Sequence, residues 1–524
     1  MTNTLVRRVG AASLIAHLVT ASIQERATIP TSVPKMESPI IVEPEYTLSG
    51  IKWVLSWIGL IWWIAMALIT TYGFTEILMK FNSPKYKPQS VSFDSEGEVI
   101  DSDELEGVTI LRPVKGIDTE MELCLESCLQ QRYPKNKMQV LFCVEDASDP
   151  AVPVIQALIQ KYSKSLSVQL LIDQDYVNNH FGPNPKINNL AKGFTAAKFD
   201  IVWVIDSNVW VSPGTLLRSV TALKSSTDNG RRTTNRPVRI VHHVPLALST
   251  STSNDSSNLG ARLDEMFLHT SHAKFYVFFN KASFAVCVNG KSNMYRISDL
   301  DRAVVSISKG ENKVINNKDN IAAEALKYVK NPKEGIRFFS RYIGEDNMIG
   351  IAIWEMGGRT GMTGDVVCQP LGGVVKNGIM DYVNRRVRWL RVRKYMVLAA
   401  TLIEPTTESL VIGVFGSYGI SNLFLEGKGM WWLLALHELV WCCTDYVQTM
   451  VFMKYSSQDQ LRQYEAPFFL HYSEQKLELR YWLPIWILRE LLALPIWIIA
   501  MLGHEIDWRN RPFKINADLS AEEL

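Results

Sequence analysis

The chain has 524 residues, which at roughly 150 residues per domain predicts three or four units rather than one core. A net charge of +2, from 55 basic and 53 acidic residues, excludes a strongly basic nucleic-acid binder or an acidic solvating chain as its main identity. With 47% hydrophobic and 21% charged residues most of the chain is expected to be ordered, and bulk composition alone does not mark a membrane protein.

Residues 1–50 read as an extramembrane tail. Arg7 and Arg8 precede a mildly apolar stretch from Val9 to Val19, but His17 interrupts it and no clean signal-cleavage pattern follows. From Trp53 to Thr75 run 23 residues without a formal charge, a length of about 34 Å as a helix. Residues 51–79 are therefore expected to cross a bilayer, with Trp53, Trp57, Trp62 and Trp63 suited to its interfaces. Lys52 on one side against Lys80, Lys85 and Lys87 on the other puts the following domain in the cytosol by the positive-inside rule. Residues 80–107, with Asp94, Glu96, Glu98, Asp101, Asp103 and Glu104, read as an acidic linker.

Beyond it, strand-like runs Val108–Leu111, Gln139–Val144, Val168–Ile172, Ile201–Ile205, Arg239–Val244 and Phe284–Val288 occur. Helical patterns Met121–Gln131, Val152–Tyr162 and Lys186–Ala197 separate the first four. Parallel strands need such crossovers, so residues 108–384 are expected to be an α/β domain with a mostly parallel sheet. Chemistry in such sheets gathers at the carboxyl ends of the strands. Lys224–Asn235 and Ser249–Asn258 are expected to be surface loops. A basic helix over 385–395 follows, then apolar segments over 396–507 and a tail over 508–524. Ser409–Leu425, Met430–Met453 and Tyr481–Gly503 are the expected membrane segments, the last kinked or broken by Pro484 and Pro495. Glu438, Asp445, Arg489 and Glu490 are expected to pair inside a small bundle, because ionisable groups at membrane depth avoid lipid.

Seven cysteines without paired metal-ligand spacing fit reduced thiols, and Cys124 and Cys128, one helical turn apart, read as core rather than zinc ligands. The residues that suit chemistry are acidic and basic. Glu145-Asp146 and Asp206-Ser207-Asn208 end strand-like runs, and Glu345-Asp346 follows Tyr342-Ile343-Gly344. Any one of these could be a helix cap; three together point to a site. Arg385 and Arg388 share a helix face at i and i+3 next to Trp389. Such a basic run suits anionic lipid headgroups or, through its guanidinium forks, a diphosphate.

The set Asp146, Asp206, Asp346 and Arg385-x-x-Arg388-Trp389 resembles the D, D, D, (Q/R)xxRW pattern of membrane-bound inverting glycosyltransferases, in the right order. Leu111 to Gly116, Asn184 to Leu190, Val241-His242 and Tyr342 to Asp346 narrow the likeness to ceramide glucosyltransferases of a fungal type. Arg at position 385, rather than Gln, separates the chain from chitin, cellulose and hyaluronan synthases.

The resemblance covers roughly Val108 to Arg393 and implies a nucleotide-sugar-binding, GT-A-like (Rossmann-like) domain. It implies one amino-terminal transmembrane helix and a carboxyl-terminal helical membrane region. The implied substrates are UDP-glucose and ceramide, handled beside the lipid bilayer of an endomembrane, the Golgi by family expectation, with neither nucleic acid nor an obligate protein partner. By the same likeness Asp146 holds uridine, Asp206 sits by the diphosphate and a divalent metal (Mn2+ or Mg2+), and Asp346 is the base. Arg385, Arg388 and Trp389 clamp the departing UDP; Lys186 contacts phosphate and His242 is a functional histidine. The implied metal site departs from the common Asp-x-Asp, since position 208 is Asn208. A processive polysaccharide synthase, a transferase to another lipid and a non-catalytic membrane transporter or scaffold are the competing readings.

Overall fold

In the computed structural model, the described residues are 48–81, 105–173, 180–224, 236–250, 256–283, 285–316, 320–373, 376–458, 467–471, 477–508, 511–516 and 519–524. The expected tail before Leu48 and most of the acidic linker lie outside them. Everything below concerns the unit Ser49–Leu524.

The alternation read from the sequence builds a sheet of eight strands. They are β1 (Val108–Val114), β2 (Met138–Val144), β3 (Ser167–Ile172), β4 (Ile201–Ile205), β5 (Trp210–Val211), β6 (Val238–Ser249), β7 (Ser292–Arg296) and β8 (Arg359–Leu371). Their order is β3-β2-β1-β4-β7-β6-β8-β5. The pairs among β1 to β4 are parallel, as the crossover helices require, and β7 runs antiparallel to both β4 and β6. Residue alternation decides which layer each side chain joins: Ile201, Trp203 and Ile205 pack with Leu125 and Ile155, while Val202 and Val204 pack with Leu190 and Phe194 on the other face. The helices Met121–Leu129, Val152–Tyr162 and Pro185–Ala196 stand where the sequence puts them.

Two expectations change. Residues 285–289 form no strand, and Phe284 lies outside the described residues. The backbone there is satisfied by side chains instead of a ladder: Asn280 Nδ2 donates to the Cys287 carbonyl at 3.0 Å, and the Asn289 N–H donates to the Tyr276 hydroxyl at 3.0 Å. The strand is β7, five residues further on from Cys287. Nor is the end of the chain a plain tail: β9 (Glu505–Trp508), β10 (Arg511–Ile515) and β11 (Ala521–Glu523) form a second sheet. Its apolar face, Ile506, Phe513 and Ile515, packs on Ile343, Val392 and Tyr395.

Among the described residues two helices, Gly50–Phe81 and Leu479–Leu502, are long and apolar enough to cross a membrane. Leu398–Thr407 and Ser409–Phe424, bent by 72° at their junction, would make a third if counted as one span. Met430–Gln458 is not of this class, since His437, Glu438 and Asp445 interrupt its apolar run. Leu479–Leu502 is one continuous helix through Pro484 and Pro495, so neither proline breaks it. Its packed face, Trp482, Ile485, Trp486, Ile496 and Ala500, holds it against the neighbouring helices. The helices Gly50–Phe81 and Ser409–Phe424 approach so closely that a Cβ on Gly59 would meet the Phe415 carbonyl oxygen at 2.9 Å, and one on Gly419 the Ser56 carbonyl oxygen at 2.7 Å. Small residues permit that contact in an apolar setting, where van der Waals packing holds helices together.

Candidate active site

The carboxyl ends of β1 and β4, the first turn of the helix Glu345–Glu355 and the helix Ile379–Met396 open onto one cavity of about 970 Å3. Lys186, Asp206, Asp346, Arg385, Arg388 and Trp389 all line it. So do Trp62, Ala65, Met66 and Ile69 of the amino-terminal apolar helix, and Phe267, Phe275 and Phe279. The cavity thus connects a cluster of charges with side chains of a helix able to span a membrane.

Local sequence explains how the charges are held. Asn184 caps the helix Pro185–Ala196, its Oδ1 accepting from the backbone N–H of Lys186 at 2.9 Å and of Ile187 at 3.2 Å. Its amide nitrogen donates to Glu345 Oε2 at 2.9 Å and to the Tyr342 carbonyl at 2.7 Å, tying that helix start to the segment carrying Asp346. Lys186 Nζ then lies 2.8 Å from Asp206 Oδ1 and 3.1 Å from Glu345 Oε1. Lys291 Nζ sits 3.2 Å from Asp206 Oδ2 and donates to Asn208 Oδ1 at 3.3 Å. Asp346 is not at a strand end, as its position after Tyr342-Ile343-Gly344 suggested, but in the first turn of a helix. Its Oδ1 accepts from the Asn347 N–H at 2.8 Å.

These surroundings drive the carboxylates apart. Burial opposes ionisation of Asp206, but Lys186 and Lys291 outweigh it and hold the group below the usual carboxylate range. Burial opposes charge on Lys186 too, and Asp206 and Glu345 hold it protonated. Asp346 goes the other way: burial, then the charge of Glu345, push it up to about 7. Such a split is how one site keeps a permanent anion and a proton acceptor. Arg385 is pushed down to about 10 by burial and by Arg388, and is ion-paired with Asp264. Arg386, with its guanidinium 3.6 Å from the centre of the Phe267 ring, faces Glu404 at 3.5 Å.

Two expected site residues lie outside the lining. Asp146 is exposed, with Oδ1 accepting from the Ser148 N–H at 2.8 Å; its neighbour Glu145 lines the cavity, paired to Lys115 at 2.6 Å. His242 is fully buried, its Nδ1 on the Tyr276 hydroxyl and its Nε2 2.6 Å from Asn280 Oδ1. Tyr276 does line the cavity, so His242 reaches it through that hydroxyl. Lys291, Tyr276 and Gly290 are lining residues with no assigned role in the sequence reading. The turn Asn289-Gly290-Lys291 carries the signal for two of them, without showing what it faces, and Tyr276, on the helix Ser271–Ala282, carries none. All seven cysteines are free, and Cys124 and Cys128 are core residues, as expected.

The residues at Asp206 do not form a ready divalent-metal site. Both carboxylate oxygens face ammonium groups, the second position is an amide, and among the described residues no three His, Cys, Asp or Glu side chains are grouped to hold a metal ion. A dication about 4 Å from one ammonium is repelled by about 8 kcal/mol at an effective dielectric of about 20.

The family model described as glycosyl transferase family 21 matches residues 63–303 and 333–521. A ceramide glucosyltransferase of Komagataella phaffii is 49% identical over 94% of this chain and 96% of its own length. That of Candida albicans is 46% identical over 89% of this chain and 97% of its own. A solved mannosyltransferase of Pyrobaculum calidifontis, in complex with GDP-mannose and Mn2+, aligns over 86% of this chain and 98% of its own at 14% identity and a TM-score of 0.38, a level at which no detail transfers. The matches bear out the resemblance read from the motifs and the mixed α/β, GT-A-like fold, and the chain belongs to glycosyl transferase family 21.

Proposed function

We propose that this chain transfers glucose from UDP-glucose to the primary hydroxyl of ceramide with inversion, releasing UDP. The observation that carries this reading is the single cavity, which puts Asp346, Arg385 and Arg388 in one volume with Trp62, Met66 and Ile69 of the amino-terminal apolar helix. A water-soluble donor and a lipid acceptor need such a junction.

Asp346, poised near 7, takes the proton of the acceptor hydroxyl. The oxygen attacks the anomeric carbon from the face opposite the diphosphate. As the new C–O bond forms, the bond to the phosphate oxygen breaks, and UDP leaves with the electron pair. Arg385, Arg388 and Lys186 meet the charge that develops there, and planar guanidinium forks suit its oxygens. Trp389 closes the site beside them. Asp146 is the group proposed for uridine, and His242 acts behind Tyr276. No glycosyl-enzyme intermediate is needed. The chain works in an endomembrane, the Golgi by family expectation, with the sheet domain on the cytosolic side, as the basic residues after the amino-terminal helix favour. The likeness also implies Mn2+ or Mg2+ beside Asp206, but the residues there do not fit a dication, and no step of this reading runs through one.

The test is a product assay with purified protein, radiolabelled UDP-glucose and a panel of lipid acceptors, with and without chelator. One glucose on ceramide is expected. Asp346→Asn should lower turnover by about a thousandfold with unfolding behaviour unchanged. A polymeric product would refute the acceptor assignment, and undiminished turnover in that variant would refute the base.

A further inference from the structure

The turn Asn289-Gly290-Lys291 belongs to a stretch that resembles the family, but the resemblance gives Lys291 no role, although it lines the cavity and is held on several sides. Its backbone is pinned on both sides: its carbonyl accepts from the Asp206 N–H at 3.2 Å, and its own N–H donates to Asn289 Oδ1 at 3.1 Å. The next link, from the Asn289 N–H to the Tyr276 hydroxyl, anchors the turn to the helix Ser271–Ala282. Lys186 Nζ donates to the Gly290 carbonyl at 3.3 Å from the other side. Gly290 itself has no room to spare, since a Cβ there would stand 3.1 Å from Asp346 Oδ2 and 3.4 Å from Lys186 Nζ. The turn is therefore a rigid mount that delivers one ammonium to a fixed place, and the side chain is only 17% exposed.

That place is informative. Lys291 takes one oxygen of Asp206 and the amide oxygen of Asn208, while Lys186 takes the other oxygen of Asp206. The two lysines thus cover the donor atoms that a divalent cation would need from this segment. Two ammonium groups already stand at the spot where a departing diphosphate requires positive charge; Asp206 and Glu345 balance them, and Asn208 adds no third carboxylate.

We infer that Lys291, together with Lys186, binds the diphosphate of the nucleotide sugar directly and supplies the charge otherwise brought by a metal ion, so that nucleotide binding is metal-independent. The inference rests on the donor site proposed above. Both lysines release Asp206 in part as the phosphate oxygens arrive, exchanging one anionic partner for another.

Binding of labelled UDP and of labelled uridine to the full-length chain in detergent micelles, in chelator and then in excess MgCl2 or MnCl2, tests this without any turnover. In chelator the unaltered protein should bind UDP within about threefold of its affinity with metal. Lys291→Met should weaken UDP binding in chelator by about thirtyfold, leave uridine binding unchanged, and recover part of the loss when metal is added. Lys291→Arg should retain most of it. UDP binding by the unaltered protein only when metal is present overturns the inference, as does unchanged binding by Lys291→Met in chelator. The first of these needs no variant and so cannot be confused with misfolding. If the folded chain binds neither UDP nor uridine in any buffer, the donor site itself has failed, and the inference falls with it by a recognisably different pattern.

Discussion

Two clusters of charge lie in this molecule, and they differ in what surrounds them. Around Lys186 the side chains of Asp206, Lys291 and Lys186 are 24%, 17% and 16% exposed, and they face a cavity. Between the helix Ser271–Ala282 and the carboxyl-terminal helices, Lys274 and Asp445 are 2% and 0% exposed and pair at 2.6 Å, and the Trp486 indole donates to Asp445 at 2.9 Å. Arg489 beside them pairs with both Glu408 and Glu490, and Ser409 donates to Glu490 at 2.7 Å. Both clusters contain lysine and carboxylate at hydrogen-bonding distance. The first faces the cavity directly, so there a ligand can replace a protein partner. The second reaches that cavity only through Glu408; Lys274, Asp445, Arg489 and Glu490 are buried, and their charges hold helices together. This is the bundle pairing expected for Asp445, Arg489 and Glu490, with Lys274 and Glu408 as partners that lie far away in sequence; Glu438, also expected to pair, instead accepts from the Ser409 hydroxyl at 3.0 Å.

The sharpest way to break the comparison is to remove one member of the sealed pair. Lys274→Met leaves Asp445 buried without its cation, a loss of about 3–5 kcal/mol, and should remove most folded protein in a detergent thermal-unfolding series. Lys274→Met combined with Asp445→Leu should restore much of it, because an apolar pair of similar volume avoids the desolvation cost. If the single variant melts with the unaltered chain, the cluster is not structural. A smaller effect is expected at the open cluster's rim. Arg388→Lys keeps the charge but loses the planar fork, and should raise KM for the sugar nucleotide about thirtyfold with the unfolding midpoint unmoved; unchanged kinetics would make Arg388 a lipid-facing residue. The mildest test changes only the buffer. Asp346 must be ionised to accept a proton, and burial and Glu345 push it up to about 7. Its active form is therefore lost as pH falls, and kcat/KM should drop about fivefold from pH 7 to pH 6 and about a further tenfold from pH 6 to pH 5. A flat profile down to pH 5 would deny Asp346 the role of base.

Much of the scaffold was legible because its signals are local. The runs at β1, β2, β3 and β4 are apolar and bounded by turn residues, and the helices between them begin at readable caps such as Asn184-Pro185. The spacing of the carboxylates and of Arg385 and Arg388 likewise shows in the chain itself. Other features were hidden for definable reasons. The run at 284–288 has strand composition, yet Asn280 and Tyr276 supply its hydrogen bonds, and those partners come from a helix. His242 sits on a strand next to a site, but whether its imidazole faces the cavity or Tyr276 depends on which way the pleat turns it. Lys291 looks like any turn lysine until the fold brings Asp206 and Asn208 to it.

From the amino-acid order alone came the α/β domain, the amino-terminal span and the identity of the residues suited to a diphosphate and a proton transfer, since periodicity, charge-free length and side-chain type are carried by short stretches. Tertiary structure alone decided that these residues share one cavity with the amino-terminal helix, that two lysines occupy Asp206, and that Lys274 closes on Asp445. Those are contacts between segments tens to hundreds of positions apart, and electrostatic energy depends on the distance and burial of both partners, neither of which is written in either segment by itself.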